Sequence, residues 1–140
     1  MGVIPRSVQM RWNENTVSFP VYPAKVLTVD EGSDIFVNPT ARGMLLIVTL
    51  GTLTGTPTYR PSLRTYRADL ATLFALWTAA AVLNSAGTFF YTIYPGGIPG
   101  GVETESVDIA LPRLWQVYLD YTGTPVSDYC SVSAEAAYLI

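Results

Sequence analysis

Side chains with chemical potential are sparse in this chain and fall into three groups. Asp30, Glu31 and Asp34 share one turn-like stretch, and Glu103, Glu105 and Asp108 follow a glycine-rich run. Paired carboxylates serve glycoside hydrolysis, one as the acid and the other as base or nucleophile, and clustered carboxylates hold Ca²⁺. Neither group has the ordered spacing of an EF-hand loop, so both are expected to be solvated acidic turns. The third group is basic: Arg60, Arg64 and Arg67 lie in one candidate strand and its exit. Positions four apart on a strand share a face, which places Arg60 and Arg64 together and Arg67 opposite. A planar guanidinium pairs with carboxylates in a two-pronged fashion, across an interface or with an acidic neighbour such as Asp69.

The chain contains no histidine. That removes the commonest general base, the usual activator of Ser and Cys nucleophiles, and the commonest transition-metal ligand. The run from Pro95 to Gly101 (PGGIPGG) lacks the lysine and hydroxyl of a phosphate-binding loop. It is expected to be a long exposed loop, with Ile98 tucked into a neighbour. No catalytic, cofactor-binding or metal-binding residue is expected, no cofactor is implied, and the protein is not expected to be an enzyme.

Composition limits the partners. A formal net charge of -3 and a pI near 4.7 leave no diffuse cationic surface for a phosphate backbone, so nucleic acid is not an expected partner. The uncharged stretch Leu70 to Leu83, LATLFALWTAAAVL, is shorter than the roughly 20 apolar residues of a membrane span, and no membrane association is expected. The opening MGVIPRSVQMRWNENT lacks a secretory apolar run, and Arg6 stands where a myristoylation motif needs a hydroxyl. Synthesis in the cytoplasm is the expectation. Charged residues make up 14% of the chain and hydrophobic ones 49%, whereas soluble domains carry about a quarter charged residues. Such a deficit is expected where surface is buried against other protein, because interface centres are depleted in charge, and equally in an ordinary β domain whose surface is covered by Thr, Ser and Tyr hydroxyls.

The elements that must position these residues read as short strands. Glycine and proline punctuate the chain from Ala24 onward, leaving candidates at 25–29, 44–50, 58–66, 88–94, 114–121 and 129–139. The continuous apolar run 44–50 predicts a central strand covered on both faces. Residues 114–121 alternate, setting Trp115, Val117 and Leu119 against Gln116, Tyr118 and Asp120. Leu63, Tyr66, Leu70, Leu73, Phe74, Trp77 and Ala81 recur at helical spacing, but strands with a short helix or irregular link near 68–73 are favoured. Thr54-Gly55-Thr56-Pro57 and Thr122-Gly123-Thr124-Pro125 form a short internal repeat, predicting two hairpin turns of similar design. A single domain at 24–140, an all-β sandwich of jelly-roll type, follows an extended N-terminal arm at 1–23 that holds Pro5, Pro20 and Pro23. The free Cys130 is expected to be a small buried hydrophobe. Trp12, Phe19 and Tyr22 of the arm, with Arg60, Arg64 and Ile98, are the expected protein-interface residues, since aromatic and arginine side chains dominate contact energetics.

The stretches IFVNPTARGMLLIVTLGTLTGTPTYRPSL (35–63), TAAAVLNSAGTFFYTIYPG (78–96) and LPRLWQVYLDYTGTP (111–125) resemble small virion structural proteins of tailed phages, of the capsid decoration or cement type. The likeness lies in the order of an N-P-x-A-R-G entry, a hydrophobic strand, a T-G-T-P turn, a Y-P-G strand end and an L-P-R-x-W strand. It covers about the last four fifths of the chain, apart from 64–77. It implies a subunit that sits on the capsid surface as a homotrimer and contacts the major capsid protein. A tail or head-fibre component binding host carbohydrate is the alternative.

Overall fold

The computed structural model describes residues 18–66, 72–97 and 103–139. Ten strands follow one another: β1 (Phe19–Leu27), β2 (Glu31–Gly32), β3 (Phe36–Val37), β4 (Gly43–Leu50), β5 (Thr58–Tyr66), β6 (Leu73–Thr78), β7 (Gly87–Ile93), β8 (Glu105–Val107), β9 (Leu114–Thr122) and β10 (Cys130–Leu139). No helix occurs among the described residues. One sheet has the order β1-β10-β4-β7-β8 and the other β2-β9-β5-β6, with β3 also paired to β9. The two sheets pack face to face as a β-sandwich.

Their pairing is nested. β5 pairs with β6, β4 with β7, β2 and β3 with β9, and β1 with β10, all antiparallel. This is a long hairpin rolled over itself, the jelly-roll arrangement, and the contacts β4 to β10 and β5 to β9 close the roll. Only β8 departs from it, adding to β7 in parallel.

Alternation of side chains builds the core. Met44, Leu46, Val48 and Leu50 of β4 point inward and are essentially inaccessible, as are Trp115, Val117 and Leu119 of β9. Each large apolar side chain buried this way stabilises the fold by about 1.5–3 kcal/mol. Leu45, Ile47 and Thr49 on the other side of β4 are only half-buried. The strand is central, as expected, but the run's continuity does not produce two covered faces, since no further layer among the described residues lies over it.

Two tyrosines cross the sandwich. Tyr22 on β1 donates from its hydroxyl to the carbonyls of Glu31 and Val117 in the opposite sheet. Tyr59 on β5 donates to the Leu27 carbonyl at 2.7 Å and accepts from the Cys130 amide. Burial pushes both phenols well above their ordinary range. Cys130 is a free, buried thiol, pushed up by the same desolvation.

Two expectations need correction. The arm boundary at residue 23 falls inside β1, where Phe19 pairs with Ala136 and Tyr22 with Ala134. Pro20 and Pro23 are tolerated there because β1 is an edge strand with register shifts on either side of Tyr22, and proline's missing N–H costs nothing on the outer edge. Where it is described, the segment whose apolar residues recur at helical spacing forms strands as favoured, β5 and β6, with a bulge between Leu63 and Arg64 shifting the register, and the link expected near 68–73 falls mostly outside the described residues. The two T-G-T-P segments are not hairpin turns: Thr54–Pro57 carries the chain from β4 in one sheet to β5 in the other, and Thr122–Pro125 carries it back from β9 to β10.

Candidate functional site

The outward face of β5 and β9 brings two of the arginines together with the polar half of the alternating strand 114–121. β5 turns Tyr59 and Leu63 into the core, so Arg60 and Arg64 project from the other side. Register sets Thr58 opposite Thr122, Arg60 opposite Asp120, Ser62 opposite Tyr118 and Arg64 opposite Gln116. The expectation that Arg60 and Arg64 share a face agrees with this geometry. Arg67 lies outside the described residues, as do Trp12 and Ile98.

Arg64 lies flat on a neighbour, its guanidinium carbon 3.5 Å from the centre of the Tyr118 ring. Such a contact is worth about 0.5–1 kcal/mol at an exposed position. Partial burial pushes the Tyr118 hydroxyl above its ordinary range, with the charge of Asp30 adding to the shift and Arg64 opposing it. Gln116 reaches over Gly32 and donates to the Ser33 carbonyl at 2.8 Å. A Cβ on Gly32 would stand 2.6 Å from the Gln116 amide nitrogen, so the glycine makes room for that side chain.

Arg60 Nε, Arg64 Nε and Gln116 Oε1 are shielded from solvent without a hydrogen-bond partner among the described residues. Buried polar atoms in folded proteins are ordinarily paired, and here three orphans share one sheet face. The fourth such atom, Tyr91 Oη, belongs to the core, where burial pushes the phenol up to about 12. Beside Arg60 the surface dips into an open pocket of about 330 Å³ lined by Asp30, Thr58, Arg60, Val82, Asp120, Tyr121 and Thr122. Asp30 is fixed at its rim by the Tyr121 amide, which donates to Oδ1 at 2.8 Å.

Phe19 and Tyr22 are not on this face. Phe19 packs with Phe36, Trp115 and Tyr138, at ring separations of 5.0–6.2 Å, and Tyr22 is 4% exposed. Both rings are used within the chain's own sandwich. The acidic groups are mostly ties between segments and not free turns. Glu31 pairs with Lys25, Glu103 accepts from the Thr92 hydroxyl, Glu105 accepts from the Trp77 indole and the Ala80 amide, and Asp108 accepts from the Gly96 amide. No cluster of three or more His, Cys, Asp or Glu suited to a metal occurs among the described residues.

Asp128 escaped the sequence reading although it holds the two repeats together. Its Oδ1 accepts from the Thr56 amide at 2.9 Å and its Oδ2 from the Thr124 amide at 2.8 Å. The available signal was a carboxylate three residues beyond the second T-G-T-P segment. Tyr118, Gln116 and Asp120 were visible as the polar half of an alternating strand, without anything to say that they would face two arginines. No protein-family profile matches the chain, and neither a curated protein nor a solved structure is detectably similar to it.

Proposed function

We propose that this chain is a structural protein of a tailed-phage virion, a capsid decoration protein that associates with copies of itself and with the major capsid protein, with no bond made or broken. The observation that carries the proposal is the outward side of β10, β4 and β7. Those three strands contain a single charged residue, Glu135, and present half-buried Leu45, Ile47 and Phe90 with Thr49 and Ser133. A broad face with so little charge suits burial against protein. The jelly roll adds support by analogy, since capsid subunits and lectins both use it. Repeated modest contacts suffice for cementing, because a symmetric assembly gains from multivalency.

The test is made on particles. Antibody labelling of purified virions should place the protein on the head, and heads lacking it should assemble yet lose resistance to heat or low salt. Equally robust particles that fail to adsorb to host cells would overturn the proposal in favour of a second reading, a head- or tail-fibre component that binds host carbohydrate. What favours that second reading is the polar pocket beside Arg60.

A further inference from the structure

The pocket beside Arg60 carries a charge pattern that discriminates among ligand classes. Asp120 stands directly across the strand pair from Arg60, yet the two form no ion pair, and the Asp120 carboxylate has no hydrogen bond among the described residues. Arg60 Nε is closed to solvent and unpaired among them. Asp30 accepts from the Tyr121 amide and shares a side-chain hydrogen bond with the Tyr118 hydroxyl that helps burial to raise that phenol, so its carboxylate is held in place at the rim. Thr58 and Thr122 add side-chain hydroxyls, and Val82 with Tyr121 adds apolar surface.

Each simple ligand class leaves part of this set unsatisfied. An anion would pair with Arg60 while meeting two carboxylates. A cation would pair with the carboxylates but sit beside a guanidinium. An apolar ligand would remove water from three charged groups and replace it with nothing. A hydroxyl group differs from all of these, because it donates to a carboxylate and accepts from a guanidinium at the same time, and bonds to charged partners are the stronger kind. Several hydroxyls on one rigid ring match acceptors and donors placed on neighbouring strands. The volume lies at the low end of the roughly 300–1,000 Å³ of small-molecule pockets.

We propose that the pocket formed by Asp30, Arg60 and Asp120 binds a neutral saccharide. The proposal deepens the carbohydrate-binding reading and leaves the decoration reading standing if it fails, since the latter rests on the opposite sheet and is tested on particles.

The experiment is a titration of the ¹⁵N-labelled full chain with glucose, galactose and N-acetylglucosamine, followed by amide chemical shifts, with sulfate and methylammonium as anionic and cationic probes. At least one sugar should produce saturable shifts centred on the amides of Thr58 to Arg60 and Asp120 to Thr122. Arg60→Met and Asp120→Ala should each weaken that binding at least tenfold while the remaining resonances stay in place. Absence of saturable sugar shifts at these amides overturns the proposal. So do a response to sulfate or methylammonium alone, and sugar binding that both variants retain.

Discussion

The two outward faces of the sandwich are built by the same alternation and differ in almost everything else. On the sheet containing β4, outward positions carry Leu45, Ile47, Phe90 and small hydroxyl residues, with Glu135 the single charge on β4, β7 and β10. On the sheet containing β5, they carry Arg60, Arg64, Gln116, Tyr118 and Asp120, and three of their polar atoms are shielded without a partner among the described residues. Inward positions of the two sheets are equally apolar. Folding therefore constrains the inner half of each strand and leaves the outer half free to specialise, one face for desolvated contact and the other for directed polar contact.

The strongest way to break the comparison is to remove the core both faces share. Trp115 is fully buried and stacks on Phe36 at 4.7 Å, so Trp115→Ala should cost about 3–5 kcal/mol, and urea denaturation should show both sheets lost in one transition.

Gly55 comes next. It sits at φ 73°, and an added Cβ would approach the Ser127 carbonyl and Asp128 Oδ1 to 2.2 Å. Gly55→Ala should cost about 1–3 kcal/mol in the same assay, because a non-glycine residue is strained at this φ and the crossover must also shift. Gly123 meets Asp128 similarly, with a Cβ 2.9 Å from the Asp128 Cβ. The Thr56 and Thr124 amides hold the Asp128 carboxyl below its ordinary range. A depressed folded-state value gives stability that is complete above the unfolded value, near ~4, and is lost as pH falls through the lower folded value. Asp128→Asn should therefore melt below the wild type at about pH 6, and the gap should narrow towards about pH 3.

Two smaller substitutions sharpen the contrast between the faces. Ile47→Lys puts a charge in the apolar face; it should cost at most about 1 kcal/mol yet abolish attachment to particles in a co-sedimentation assay. Arg64→Ala removes the contact with Tyr118 and should cost about 0.5–1 kcal/mol in thermal melts, with a weaker effect on attachment. Equal attachment by both variants would show that the faces do not differ in role.

Strands and faces were legible because alternation is a local property. Residues 58–66 match β5 end to end, and the candidates on β4, β7, β9 and β10 agree to within a residue at each end, whereas 25–29 catches only the last third of β1. The same local rule placed Arg60 and Arg64 on one side of β5 and turned Trp115, Val117 and Leu119 inward. β2, β3 and β8 are two or three residues long, too short for a period to register. Phe19 and Tyr22 were expected on a partner because prolines mark an arm, and their destination depends on whether β10 offers an edge to pair with.

By itself, then, the sequence determined an all-β chain, most of its strands and the side from which each residue projects, since these follow from backbone geometry over a few neighbouring residues. Tertiary structure alone decided which strands are neighbours. A turn such as Thr54–Pro57 has the same local chemistry whether the next strand pairs with the last or crosses to the opposite sheet. The crossover is selected only when β5 finds β9 and β10 finds β4, contacts between residues more than fifty positions apart. The same long-range register brings Asp128 between the two repeats and sets Arg60 across from Asp120. No local pattern encodes either meeting, because the energy that fixes them comes from the shared core and not from the residues that meet.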